Sequence, residues 1–186
     1  MMRRALLPLC AMLFALAAEA VDLNHMVAEK SQLNFVFREM NVPVEGRFKK
    51  FDVQVSMDPA KPEAGKVRVE VDLASVDAGS SDADSEVKGK QWFNIAAFPK
   101  ASFVASEIKA LGGGRYEARG PLNIKGTSRD VIAAFSIRSD PAGAWVEGGF
   151  TLPRLQFKIG EGEWSDTDAV ADAVQIKFKF FLSVKK

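Results

Sequence analysis

With 186 residues and 25 basic against 24 acidic side chains, the chain is long enough for one domain with a sizeable core. It is too evenly charged for nucleic acid, whose phosphates require a basic surface. Cys10 is the sole cysteine and His25 the sole histidine, so zinc and haem sites lack their usual ligands.

The chain opens Met1-Met2-Arg3-Arg4, runs apolar from Ala5 to Ala18 and reaches Ala18-Glu19-Ala20. A short positive region, an apolar stretch and an Ala-x-Ala site predict a secretory signal peptide over residues 1–20, cleaved after Ala20. The apolar run is shorter than the roughly 20 residues of a membrane-spanning helix. Leu9 before Cys10 is not the small residue a lipoprotein site would carry. The expected mature chain is a single domain over residues 21–186. It keeps 23 basic and 23 acidic groups, carries no cysteine and has no transmembrane segment. Its stability must then come from the core rather than from disulfides. Phenylalanine dominates that core: 13 of the 14 lie beyond the leader, beside one tyrosine, which favours an apolar interior over a hydrogen-bonded one.

From residue 31 onward the apolar residues recur with a period of two. Leu33, Phe35 and Phe37 alternate with polar neighbours, as do Phe51, Val53, Val55 and Met57, then Val67, Val69, Val71 and Leu73. The last stretch is the clearest, with Val174, Ile176, Phe178, Phe180, Leu182 and Val184 set against Gln175, Lys177, Lys179, Phe181, Ser183 and Lys185. A helix cannot use such a pattern, because its same-face neighbours fall three and four residues apart. Turn residues punctuate the runs at Asp58-Pro59, Lys61–Gly65, Gly112–Gly114, Lys125-Gly126 and Asp140–Gly143. They delimit eight predicted strands, 31–40, 47–57, 66–74, 101–109, 115–124, 130–138, 144–151 and 172–184, which suit an antiparallel barrel or sandwich. An outer-membrane barrel would show girdles of Tyr and Trp, whereas this chain has one Tyr and three Trp.

Residues 81–98 break the alternation. Asp82, Asp84 and Glu86 precede Val87, Trp92, Phe93, Ile95 and Phe98, which predicts a short helix around 82–96 capped by Ser81 or Asp82. Pro99 bars its continuation. Such a helix either plugs one mouth of a barrel with Trp92 and Phe93 or packs on the sheet as an ordinary layer.

Chemistry-bearing motifs are scarce. Asp82-x-Asp84-x-Glu86 starts like a calcium loop but has Val87 where the turn glycine belongs and Phe93 where the bidentate Glu belongs. There is no G-x-S-x-G elbow, and the glycine triplet 112–114 opens no helix that could hold a phosphate. An enzyme is not expected, nor a metal or other cofactor. The segment Arg154 to Trp164 joins an alternating strand end to a glycine loop and an indole. There Arg154 is expected to orient loops by pairing with a carboxylate, or else to meet a ligand's polar head.

Taken in order, several segments resemble the YceI family of exported bacterial proteins. They are Ser31-Gln32-Leu33-Asn34-Phe35, Gly46-Arg47-Phe48, Ala74–Gly79, Trp92–Pro99, Gly120–Arg129, and Arg154–Trp164 with Asp172-Ala173-Val174. The resemblance implies a lipocalin-like, eight-stranded antiparallel barrel around a long apolar cavity. It further implies a periplasmic protein that holds a polyisoprenoid or similar long-chain amphiphile, such as a quinone or polyprenyl chain. Some members accompany membrane cytochromes of the b561 kind, so a solidly packed barrel serving such a partner is the alternative, and a homodimer is a further expectation. Two positions depart from the family: Lys30 stands where a histidine often precedes the first-strand serine, and Arg38 and Glu39 where another follows the strand. The expected apolar lining is Phe35, Phe37, Val69, Val71, Trp92, Phe93, Phe103, Leu122, Ile124, Phe135, Phe150, Phe157, Ile176, Phe178 and Phe180. Arg154 and Trp164 are expected at a polar head or in a structural role.

Overall fold

The computed structural model describes residues 22–185; the expected leader and its cleavage site lie outside them. The chain forms β1 (His25–Met26), β2 (Gln32–Glu39), β3 (Val42–Phe48), β4 (Phe51–Ser56), β5 (Lys66–Asp72) and β6 (Val76–Asp77), then α1 (Ser81–Lys88). There follow β7 (Lys100–Val104), β8 (Glu107–Gly112), β9 (Arg115–Ile124), β10 (Thr127–Asp140), β11 (Gly143–Pro153) and β12 (Ala173–Ser183). All pairings are antiparallel, in the order β4-β5-β7-β9-β10-β11-β12-β2-β3-β6, with β1 beside β12 and β8 beside β9. The molecule is thus all-β, a single curled antiparallel sheet with one short helix. Among the described residues no helix is long and apolar enough to cross a membrane.

The two ends of this path meet because β3 runs into β4 through Lys49-Lys50. Backbone bonds from Lys49 N–H to the Ser75 carbonyl, 3.1 Å, and from Asp72 N–H to the Lys50 carbonyl, 3.0 Å, tie the seam at one end. At the other, Leu23 exchanges two bonds with Met57, 2.8 and 3.1 Å, while the following β1 pairs with β12. The N-terminal segment therefore bridges β4 to β12 where the curled sheet would otherwise gape. Phe181, on the outer face of β12, is 2 % exposed. Its ring meets Trp145 at 4.8 Å and lies under the Lys30 ammonium, and its N–H donates to Ser31 Oγ. An outward phenylalanine thus anchors the segment that leads out of β1.

The alternation places the expected face inward, and the structure corrects four boundaries. First, β3 forms across residues 42–46, which no expected strand covers. It is joined to β2 by Met40-Asn41, both in the left-handed region at φ 47° and 66°, a two-residue reversal made without the glycine that usually signals it. Pro43 is tolerated there because β6 pairs only with Arg47 and Phe48, leaving the rest of that side of β3 open. Second, the strand expected over 47–57 starts only at Phe51, after the seam. Third, the strand expected over 101–109 is broken into β7 and β8 at Ala105-Ser106. There the Ala105 N–H turns to Val67 and the Ser106 N–H to Arg119, and the break passes over Gly120, where any Cβ would collide with the Val104 carbonyl. Fourth, the helix spans 81–88 rather than 82–96, and its cap is Ser80, whose Oγ accepts the Ala83 N–H at 3.2 Å. Beyond Gly89 the chain proceeds through turns, including Asn94 at φ 50°, so Trp92 and Phe93 sit on a turn rather than on the helix.

Candidate functional site

The inward faces of the strands enclose a cavity of about 600 Å³. The barrel is hollow, not packed. Nine of the thirteen phenylalanines beyond the expected leader line the cavity instead of filling it. Opposite several of these rings the partner strand carries glycine, as in the pairs Phe35–Gly46, Phe135–Gly148 and Phe178–Gly148. A Cβ at Gly46 would run into the Phe35 ring. Small residues facing large rings let bulky side chains stand in a curved wall without crowding its centre.

One end of the cavity is blind. Val55, Met57, Ile108 and Leu182 line it there and all are buried, Met57 and Leu182 to 2 % exposure. The strand register puts Leu182 beyond the Lys179–Gln32 pair, at the start of β2, and Glu39 at the other end of β2, bridged to Val170. At that second end the lining includes four exposed residues, Glu39, Ser80, Asp82 and Glu86. This is the mouth. α1 lies across it with Ala83 and Val87, four residues apart and so on one face, packed against the cluster of Phe35, Val76 and Ala78.

Of the expected lining, Phe35, Phe37, Val69, Val71, Phe103, Leu122, Ile124 and Phe135 all border the cavity. So do Phe150, Ile176, Phe178 and Phe180 from the C-terminal strands, and Trp92 and Phe93 from the turn after α1. Phe157 does not. It is 1 % exposed and packs in the core beneath the Arg154 loop, because β11 ends at Pro153 and residues 154–157 form a 3-10 turn; the period of two no longer dictates direction there. Sequence reasoning left out Val53, Val55 and Met57, which also line the cavity and which the alternation of β4 does mark. It also left out Glu39, Asp82 and Glu86, which periodicity cannot assign to a mouth.

Arg154 is 1 % exposed, and its five N–H donors all meet backbone carbonyls. Nε donates to Ala171 at 3.1 Å, one terminal nitrogen to Ile159 and Gly160 at 2.9 and 3.2 Å, the other to Trp164 and Val170 at 2.7 and 2.6 Å. The expected carboxylate partner is replaced by this ring of carbonyls. Burial pushes the guanidinium's pKa down and nearby Asp172 opposes the shift, while Asp172 itself accepts the Leu155 N–H. With no donor left over, Arg154 organises residues 155–172 rather than a ligand head. The guanidinium also lies 5.4 Å from the centre of the Trp92 ring. A second buried cation, Lys125, holds the same loop from β9's turn, donating to the Lys158 carbonyl at 2.7 Å and to Glu161 at 2.8 Å. Trp92 and Trp164 pack together at 5.5 Å and both line the cavity, and both indole N–H groups are buried without a partner among the described residues. His25 and the two positions that depart from the family pattern play other parts. His25 pairs with Ser183 on β1, Lys30 covers Phe181 on the outer face, and Arg38 bonds the turn at Asn41.

Comparison with known proteins agrees with this architecture. The crystal structure of Burkholderia cenocepacia BcnA superposes with a TM-score of 0.81 at 40 % identity, over 84 % of this chain and 98 % of that one. A structure described as a polyisoprenoid binding domain from Saccharophagus degradans, implicated in plant cell wall breakdown, shares the fold with a TM-score of 0.69. At 16 % identity it matches 89 % of this chain and 99 % of its own. A UPF0312 protein of Azotobacter vinelandii is 29 % identical over 153 residues, 77 % of this chain and 80 % of the relative. The YceI-like domain model matches residues 25–182, and the chain therefore belongs to the YceI-like family.

Proposed function

We propose that this protein is an exported, non-enzymatic carrier that holds a polyisoprenoid or similar long-chain amphiphile, a quinone or polyprenyl chain, in its barrel and operates in the periplasm. The observation that carries this reading is the apolar cavity of about 600 Å³, lined by buried side chains at one end and bordered by exposed polar residues at the other. A cavity of this size lies within the range of small-ligand sites. Each buried methylene contributes about 0.8 kcal/mol, so about ten of them offer about 8 kcal/mol, the free energy of a micromolar complex, before ordering and association costs. The Saccharophagus neighbour, a polyisoprenoid binding domain, supports the same ligand class. The mechanism is passive: the tail leaves water for the tube, the head stays at the α1 end, and Phe93 and Val87 part to admit it. A packed module for a membrane partner fits less well, since such a barrel has no use for a hollow centre.

Two variants test the reading. Phe178→Asp puts a charge in the middle of the tube and should abolish lipid binding; its thermal midpoint must be read alongside, since the change also strains the fold. Ala133→Phe fills the tube with apolar bulk from a buried wall position and should lower bound lipid at least tenfold while the barrel remains folded. Undiminished lipid in a folded Ala133→Phe protein would overturn the assignment.

A further inference from the structure

Resting on that reading, we infer that the barrel has a lateral route into its cavity, a slot between β10 and β11 that side chains close and that opens to pass an apolar chain. The two strands pair from Asp140–Gly143 only as far as Ala134–Gly149, although β10 reaches back to Thr127 and β11 runs on to Pro153. Along the unpaired stretch each strand keeps its other neighbour. Val131 and Ile132 stay paired with Gly120 and Arg119 of β9, and Thr151 and Leu152 with Gln175 and Val174 of β12. The slot therefore lies between two strands that are each held from behind. Pro153 ends β11 there, with no N–H to offer a neighbour.

A second cavity, of about 150 Å³, occupies the slot. Val131 and Ile132 line it from β10, Phe150 from β11, and Gln156 and Phe157 from the turn that follows. By alternation Val131 belongs to the inward set with Ala133 and Phe135. Those two border the main cavity, whereas Val131 borders the side one. Phe150 borders both, so its ring stands between the two spaces. Phe157, which the period of two could not place, backs that ring from the side cavity. At the far end of the slot Arg129 Nε donates to the Gln156 carbonyl at 2.9 Å, an exposed bond that clasps β10 to the turn after β11.

Elsewhere in the wall, parting two strands breaks a backbone ladder and leaves its groups unpaired against an apolar interior, which is costly. At the slot no ladder stands in the way. Opening it requires the Phe150 and Phe157 rings to turn and Arg129 to exchange a carbonyl for water. A slot along the wall also admits a long chain broadside, whereas the mouth under α1 requires it to thread the tube end first.

The test is a stopped-flow measurement of geranylgeraniol uptake and release by the exported, delipidated protein, read by tryptophan fluorescence. Cys10 lies in the expected leader and is the sole cysteine, so the double variant I132C/T151C carries one thiol on each side of the slot, both at exposed positions. Bridging the pair with a bis-methanethiosulfonate should slow uptake and release together at least threefold, with affinity changed less than twofold, because a gate alters both rates alike. A reductant that removes the bridge should restore them. Arg129→Gln, which opens the clasp, should raise both rates at least threefold. A bridged protein as fast as the unbridged one, a rate that reduction does not restore, or an unchanged rate in Arg129→Gln would overturn the lateral route and leave the carrier reading standing. Failure of the unaltered protein to bind geranylgeraniol would remove the carrier reading, and the route with it.

Discussion

Arg154 shows how much one side chain can hold. Five carbonyls from a loop of eighteen residues converge on it, and lysine has three donors and no fixed fork to offer them. Arg154→Lys should cost about 2–4 kcal/mol through carbonyls left unpaired, a fall of about 5–15 °C in the thermal midpoint for a domain of this size. Lipid content should survive in the fraction that stays folded; loss of lipid at unchanged stability would instead make Arg154 a ligand contact. The partly exposed ion pairs predict a pH response. Glu161 is held below the usual carboxylate range, first by its hydrogen bond from Lys125, and Asp77 likewise, first by Lys49. Groups whose pKa is lowered by folding add stability above their unfolded pKa, and that stability is lost as the pH falls through the folded value. The thermal midpoint should therefore decline from about pH 4.5 downward, and less steeply in a Glu161→Gln/Asp77→Asn variant. An identical acid profile in both proteins would contradict these pairings.

At the scale of elements, the strands were legible wherever one face meets the cavity and the other meets water, as in β5 and β12. Legibility failed where a local exception intervened. Met40-Asn41 reverses the chain without glycine, Gly120 lets one long strand break in two, and Gly89 stops the helix before its aromatics. The lining followed the same rule. Strand positions such as Phe35, Ile176 and Phe178 could be read from the period of two, whereas Phe157 could not, because Pro153 had already ended the strand. Gly120 allows a direct check. Alanine there has no room beside the Val104 carbonyl, so Gly120→Ala should destabilise the protein by about 1–3 kcal/mol in chemical denaturation, as overpacking does. A neutral result would show that β7 and β8 can shift apart freely.

At the scale of the molecule, sequence pattern conveyed that one side of the sheet is apolar but not whether that side is filled. A phenylalanine-rich alternation serves a packed core and a hollow tube equally well. The difference lies in strand pairing, which sets rings against glycines and bends the sheet until its ends meet at Leu23–Met57 and at Lys49–Ser75. The mouth was equally hidden, since Glu39 and α1 come together only when β2 and the helix are placed on one barrel end. We propose that this tube holds a lipid. Native mass spectrometry of the protein exported to the periplasm, followed by organic extraction, tests it most directly. A discrete added mass that extracts as an isoprenoid chain is expected; a clean apo mass with no uptake of offered isoprenoids would overturn the assignment.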